Sequence, residues 1–140
     1  MLFPTTIVGS YPQPDWLIDR AGLAKRFPPR VRAKELWRIP EAYLVEAQND
    51  ATLLAIRAQE DAGLDIVSDG EQSRQHFVHG FLEFVDGIDR ENKVEMGIRN
   101  NRYAAMVPQV RGKLAMKGRA HATEAKLARA RSEEHTSELQ

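Results

Sequence analysis

Apolar and polar positions divide the first half of the chain into two short apolar runs, each followed by a polar turn. Residues 5–8 are rich in β-branched side chains and end at Gly9 and Ser10, which predicts a short buried strand that enters a loop. Residues 64–68 form a similar run and end at residues 69–71, Asp-Gly-Glu. The pattern therefore predicts two strands whose carboxyl ends carry polar residues.

The longest periodic pattern lies between these runs. Pro40 suits the first turn of a helix, and Gly63 is the left-handed residue that commonly ends one. Between them, small apolar residues recur on one face at helical spacing: Leu44, Ala47, Ala51, Leu54, Ala55, Ala58 and Ala62. We therefore expect a helix over residues 41–62, and a strand–helix–strand unit implies that its two strands pair in parallel.

The second half of the chain has weaker patterns. The apolar residues of 72–85 predict a second helix, and the polar, glycine-containing stretch 86–101 predicts a loop. Residues 103–110 and 113–116 predict two short strands, and the alanine-rich segment 122–130 predicts a final helix.

Composition and charge exclude several classes of function. The 20 basic and 20 acidic residues balance, whereas nucleic-acid binding favours a basic surplus. The chain has no cysteine, so a disulfide framework, a thiolate metal site and a thiol nucleophile are all excluded. The sequence has no apolar run near the ~20 residues of a membrane span and no secretory signal pattern, so we expect a cytoplasmic protein without nucleic-acid or membrane partners.

The last residues of the chain resemble something other than protein-coding sequence. Residues 131–140 are Arg-Ser-Glu-Glu-His-Thr-Ser-Glu-Leu-Gln. All ten match, in order, the conceptual translation of the ten codons of a common short-read sequencing adapter. A polar helix end would have a similar composition, but the match in order favours the adapter. We expect natural protein over residues 1–130 and a gene that was cut short by the end of an assembled sequence.

Candidate chemistry lies at the two strand ends. Gly9 would let a ligand approach the backbone closely and Ser10 offers a hydroxyl, although spacing alone favours a plain turn there. Asp69 and Glu71 flank Gly70 and could bind an ammonium group or a metal or transfer a proton, or could simply cap a helix. In a parallel α/β fold both segments lie at the end of the sheet where ligands bind.

His76 and His79 are spaced as a possible metal half-site. No cysteine or further histidine lies nearby to complete such a site, so we interpret the pair as incidental and predict no metal ligand in this chain.

Two motifs resemble one enzyme family. Residues 5–13, Thr-Thr-Ile-Val-Gly-Ser-Tyr-Pro-Gln, resemble the opening strand and loop of the catalytic barrel of cobalamin-independent methionine synthases. Residues 61–71, Asp-Ala-Gly-Leu-Asp-Ile-Val-Ser-Asp-Gly-Glu, resemble that family's second-strand motif, and residues 14–19 and 32–37 resemble its single-barrel bacterial members. The resemblance implies an α/β fold over residues 1–130: an incomplete TIM (β/α)8 barrel of roughly the first two to three βα units.

The resemblance also implies a reaction. The family transfers a methyl group from 5-methyltetrahydrofolate to the thiol of homocysteine, which a bound zinc ion holds as thiolate, and so forms methionine. By this resemblance the backbone of Val8 and Gly9, together with Ser10, binds the amino-acid end of homocysteine, and Glu71 accepts hydrogen bonds from its α-ammonium. The resemblance assigns no catalytic residue to this chain.

The chain departs from the family pattern in two ways. The family's zinc ligands, a His, a Glu and two Cys, belong to later strands that this chain lacks, so we expect the fragment to be inactive. The basic or polar residue before the family's Gly-Glu pair is here Asp69. The alternatives are another zinc-dependent thiol alkyl transferase of the coenzyme M type, a more distant uroporphyrinogen-type decarboxylase, and a non-catalytic small α/β binding module.

Overall fold

The computed structural model describes residues 3–25, 36–75 and 79–132. Over these ranges the elements are α1 (Arg20–Ala24), α2 (Glu41–Asp61), α3 (His79–Leu82), β1 (Val85–Ile98), β2 (Tyr103–Met116) and α4 (Ala122–Arg131). They fall into two compact units. The first contains the described residues up to 75 together with 121–132, and the second contains residues 79–120.

Helix α2 is the main element of the first unit and confirms the predicted helix. It begins after Pro40 and ends at Asp61, and Gly63 takes the expected left-handed conformation at φ 72°. The predicted buried face is partly wrong, because Leu54 is 56% exposed and Ala62 is also exposed. The buried residues of α2 are instead Ala51, Thr52, Ala55, Ile56 and Gln59.

The two polar members of that face are buried because their hydrogen-bonding groups have partners. The Thr52 hydroxyl donates to the carbonyl of Gln48, and the Gln59 amide donates to the carbonyl of Ala55, each at 2.8 Å. A polar group with a hydrogen-bond partner avoids most of the desolvation cost that keeps polar residues out of protein cores. Hydrophobic periodicity alone does not reveal such partners.

The two predicted strands pair in parallel, as expected. Thr6 and Ile66 form a parallel bridge, and the amide of Ile66 donates to the carbonyl of Thr5 at 3.0 Å. The expectation that the first strand is buried is wrong, since Val8 is 98% exposed. Ile66 on the second strand is 51% exposed. Within the part of the chain that the structure describes, no other strand pairs with either segment, so the ladder stops at this bridge.

A small apolar core lies beside α2. It consists of Leu17, Ile18, Leu23, Leu36 and Ala51, with Trp37, Ile39, Leu44 and Ala47 packed against it. Ile18 and Trp37 form an antiparallel bridge. The Asp19 carboxylate accepts from the amide of Gly22 at 2.9 Å and so caps α1. This core fixes the segment that continues from the first strand end.

The second unit is a long antiparallel hairpin, and here several predictions are wrong. Residues 86–101 belong mainly to β1 rather than to a loop, and the two expected short strands are the single strand β2. The predicted helix over residues 72–85 is limited to α3, because residues 72–73 are in a turn, residues 74–75 are not helical and Val85 begins β1. Residues 76–78 lie outside the described residues.

Cross-strand pairing explains why this polar sequence forms strands. Val94 faces Val107, Met96 faces Ala105 and Ile98 faces Tyr103, so apolar residues align on one side of the hairpin. The register shifts between Asp86 and Ile88, beside Gly87 at φ 83°, and again between Asp89 and Val94. These irregularities break the alternation that sequence reading relies on.

Helix α4 confirms the last predicted helix and contacts α2. It extends to Arg131, and Ser132 after it is 6% exposed. Residues 133–140, most of the segment interpreted as an adapter translation, lie outside the described residues. Among the helices that are described, none is both long and apolar enough to cross a membrane.

Candidate functional site

The two predicted strand ends meet in the first unit. The amide of Tyr11 donates to the carbonyl of Gly70 at 3.0 Å. Ser10 precedes this bond on one loop and Glu71 follows it on the other. The structure therefore brings together the residues that sequence reading singled out from segments about sixty positions apart. We call residues 8–13 the first strand-end loop and residues 68–74 the second strand-end loop.

The first strand-end loop presents open backbone. Val8 is 98% exposed, and Ser10 is also exposed. Gly9 has φ 82°, and a Cβ placed there would meet no atom within 4 Å. Glycine is thus favoured at this position by its left-handed backbone and not by crowding, and the space beside it is open to a ligand.

The second strand-end loop carries an ionic cluster. Arg74 lies between two carboxylates, with its Nη1 at 3.0 Å from Glu71 Oε1 and its Nη2 at 3.4 Å from Asp69 Oδ2. All three side chains are partly buried. Two carboxylates and one guanidinium leave this cluster with a formal charge of minus one. Its electrostatics therefore favour a cationic group and disfavour an anionic one.

The backbone of Glu71 is held in an unusual conformation. Its φ is 57°, a left-handed value that few residues other than glycine adopt. The Asp69 carboxylate accepts from the amide of Glu71 at 3.0 Å and stabilises this conformation. Strained backbone of this kind is concentrated at binding and catalytic sites. Asp69 thus helps to position Glu71, a role that the sequence did not reveal.

Gly70 is required where the two loops touch. Its φ is 61°, and an added Cβ would lie 2.9 Å from the Cβ of Tyr11 and 3.1 Å from the Cβ of Ala55. No side chain fits between the first strand-end loop and α2 at this point. The glycine between Asp69 and Glu71 therefore permits the close approach of the loops.

Three glutamines that sequence reading missed connect these segments: Gln13, Gln59 and Gln72. Gln59 projects from α2, donates to the carbonyl of Ser68 at 3.0 Å and accepts from the amide of Ser68 at 3.0 Å. A glutamine on a mostly apolar helix face was the sequence signal for this contact. The helix thereby fixes the start of the second strand-end loop.

Asp65 ties the two strands together just before the site. The amide and the hydroxyl of Thr5 both donate to Asp65 Oδ2, at 2.7 and 2.8 Å. These bonds, the backbone bond first, hold the pKa of the Asp65 carboxyl below its ordinary value of 3.8 because they stabilise the ionised form. The carboxylate is therefore charged, and both bonds are formed, at neutral pH.

The described residues do not fit a zinc site. They include no group of three or more His, Asp or Glu residues that could hold a metal ion, and the whole chain lacks the cysteine that a thiolate site needs. His76 lies outside the described residues, as does the side chain of His79.

These features define the class of protein. A parallel strand pair linked by a long helix, with polar loops that meet at its carboxyl ends, is the arrangement by which α/β enzymes bind small molecules. The profile of the family described as "Cobalamin-independent synthase, Catalytic domain" matches residues 3–138. The chain belongs to this family.

Individual relatives agree with the family match. The chain is 33% identical over 87 residues to a methionine synthase of Sulfolobus acidocaldarius and 37% identical over 87 residues to one of Thermococcus kodakarensis. Each match covers 62% of this chain and 23% of the relative. The structure of a B12-independent methionine synthase from Shewanella sp. W3-18-1 in complex with selenomethionine is also similar. It has a TM-score of 0.71 and 36% identity over 94% of this chain and 36% of that one.

The comparison confirms the α/β fold class, and the structure is consistent with part of a TIM (β/α)8 barrel. The chain spans less than a quarter of the length of these curated relatives.

Proposed function

We propose that this chain is part of a methyltransferase that forms methionine from homocysteine and 5-methyltetrahydrofolate, and that the two strand-end loops bind the amino-acid end of homocysteine. The observation that supports the proposal is the bond from the amide of Tyr11 to the carbonyl of Gly70, which joins the residue after Ser10 to the residue before Glu71. Family membership and the methionine synthases among the relatives support the proposed reaction.

The chemistry of the loops suits a zwitterion. An amino acid presents an ammonium group, which requires acceptors, and a carboxylate, which requires N–H or O–H donors. In our proposal Glu71 accepts from the ammonium, while the backbone of Val8 and Gly9 and the hydroxyl of Ser10 face the carboxylate. The net negative charge of the Asp69, Glu71 and Arg74 cluster supports the first assignment.

A relative supports the ligand class. The similar Shewanella structure is a complex with selenomethionine, the selenium analogue of the product that we propose. Since product and substrate share the same amino-acid end, a site for one head group serves both. This makes selenomethionine a direct probe of the proposed site.

The thiol and methyl-donor parts of the reaction lie outside the residues assigned here. Zinc, when bound, would stabilise the thiolate of homocysteine, but the described residues do not fit such a site and the chain has no cysteine. We therefore propose that methyl transfer requires further parts of the barrel and that the 140-residue chain alone is inactive. We also propose that the enzyme is cytoplasmic and acts on small-molecule substrates only.

The proposal is tested by titration calorimetry of the chain with L-selenomethionine. Glu71→Gln keeps the side-chain shape but removes the charge that faces the ammonium. Losing a charge-assisted hydrogen bond costs about 1.5–3 kcal/mol, which is roughly a ten- to hundredfold weaker affinity. We expect N-acetyl-selenomethionine, whose nitrogen carries no charge, to bind the unaltered chain about as weakly.

A matched control separates charge at the site from charge elsewhere. Glu60→Gln changes another glutamate that pairs with an arginine three residues away, Arg57, at 2.8 Å, but it belongs to α2 and not to either strand-end loop. We expect its affinity to match that of the unaltered chain. Equal affinity in Glu71→Gln would exclude Glu71 from the site. Binding of 2-mercaptoethanesulfonate in preference to the amino acid would favour the coenzyme M class instead.

A further inference from the structure

Two buried glutamines join the strand-end loops in a reciprocal arrangement. Gln13, on the first loop, donates from Nε2 to the carbonyl of Gln72 at 2.8 Å and to that of Arg74 at 3.2 Å. Gln72, on the second loop, donates from Nε2 to the carbonyl of Tyr11 at 2.8 Å and to that of Gly70 at 3.1 Å. Each side chain thus binds the backbone of the opposite loop.

Burial makes these bonds effective constraints. Gln13 is 5% exposed and Gln72 is 1% exposed, so water cannot readily replace their contacts. The amide of Gln72 has a defined orientation, because the flipped amide would place its oxygen against two carbonyl oxygens. In this orientation Gln72 Oε1 is buried without a hydrogen-bond partner among the described residues. Burying an unpaired oxygen costs free energy, so a side chain that only filled space would more commonly be apolar.

The bonded positions enclose the proposed binding residues. Tyr11 directly follows Ser10, and Gly70 and Gln72 stand on either side of Glu71. A shift of one loop against the other would therefore change the separation of Ser10 and Glu71. Groups that bind one ligand together lose affinity when their spacing is not held in advance.

We propose that Gln13 and Gln72 are positioning residues that set the distance between Ser10 and Glu71, and with it the fit to an amino-acid head group. This inference rests on the proposed function of the same loops. It assigns both glutamines to the organisation of the site through backbone carbonyls, without contact to the ligand.

The test uses Gln72→Met in the full chain, because methionine has a similar length and no amide donors. We expect L-selenomethionine to bind about tenfold more weakly. The amide proton of Tyr11, which donates to Gly70, should exchange with solvent faster than in the unaltered chain. Gln48→Met is the matched control, since the contact from Gln48 Nε2 to the carbonyl of Ser73 in the second loop is long, at 3.4 Å. We expect its affinity to be unchanged.

A double variant separates positioning from general stability. If Gln72 acts by placing Glu71, the loss caused by Gln72→Met should largely disappear in a Glu71→Gln background. A merely structural loss would add in full to the effect of Glu71→Gln.

Failure of this inference differs from failure of the proposed function. If the unaltered chain binds L-selenomethionine and Glu71→Gln weakens it while Gln72→Met does not, the positioning role is overturned and the binding site stands. Full additivity in the double variant overturns it equally. If the unaltered chain does not bind the amino acid, the proposed function fails and the positioning role fails with it.

Discussion

At the scale of single residues, two glycines in left-handed backbone serve different purposes. Gly63 ends α2 at φ 72°, and an added Cβ would meet nothing within 4 Å. Gly70 has a similar φ of 61°, but its Cβ would collide with Tyr11 and Ala55. The first glycine is there for conformation alone, and the second for conformation and close packing.

This difference predicts unequal costs for the same substitution. Gly63→Ala adds only the left-handed penalty, about 1–2 kcal/mol. Gly70→Ala adds overpacking of typically about 1–3 kcal/mol to that penalty, so we expect it to lower the free energy of unfolding by roughly 2–5 kcal/mol. Urea denaturation of both variants measures the difference. Equal losses would contradict the close contact of Gly70 with the first strand-end loop.

At this scale the sequence marks candidate positions where a local motif carries them, and the binding roles of these positions stay predictions. The Gly9, Ser10 and Glu71 positions were recognisable because short runs of β-branched residues end there. The roles of Gln13, Gln72 and Asp65 were not, because each depends on a partner about sixty residues away. No local pattern marks a side chain whose acceptor is a distant backbone carbonyl.

At the scale of elements, α2 organises the site. Its Gln59 is 1% exposed and forms hydrogen bonds with both the amide and the carbonyl of Ser68. These bonds fix the second strand-end loop at its first residue. Ala55 packs against Gly70 and restricts the position of the same loop at its third residue. Contacts from α2 thus hold the second strand-end loop in place.

We therefore expect Gln59→Met to destabilise the chain. Methionine fills a similar volume but leaves the partly buried amide and carbonyl of Ser68 without these partners, at about 1–3 kcal/mol for each group. A loss of roughly 2–6 kcal/mol in the free energy of unfolding follows from the two groups together. Thr52→Val is the control, since its hydroxyl donates to the carbonyl of Gln48 within the helix. A loss no larger than that of Thr52→Val would refute the supporting role of Gln59.

The elements also show where sequence patterns inform and where they mislead. α2 and α4 were predicted nearly to the residue, because helical periodicity and alanine content are local properties. β1 was interpreted as a loop, because its acidic residues and Gly87 conceal the alternation. Val94, Met96 and Ile98 each pair with a residue of β2, and this pairing defines the strand. Pairing is a tertiary property that the local sequence does not reveal.

At the scale of the whole molecule, the chain consists of two compact units and represents a minor part of the proteins that it resembles. The strand-end loops and α2 lie in the first unit, and the exposed hairpin forms the second. The adapter interpretation of residues 131–140 stays a prediction, and the family match extends through residue 138. The central claim concerns only the first unit.

That claim is that the two strand-end loops form one binding site for an amino-acid head group. Amide resonances of the nitrogen-15-labelled chain, followed during titration with L-selenomethionine, test it most directly. We predict that the amides of Ser10 and Glu71 shift together with one dissociation constant, while those of β1 and β2 do not move. Shifts confined to one loop, shifts concentrated in the hairpin, or no shifts at all would contradict the account.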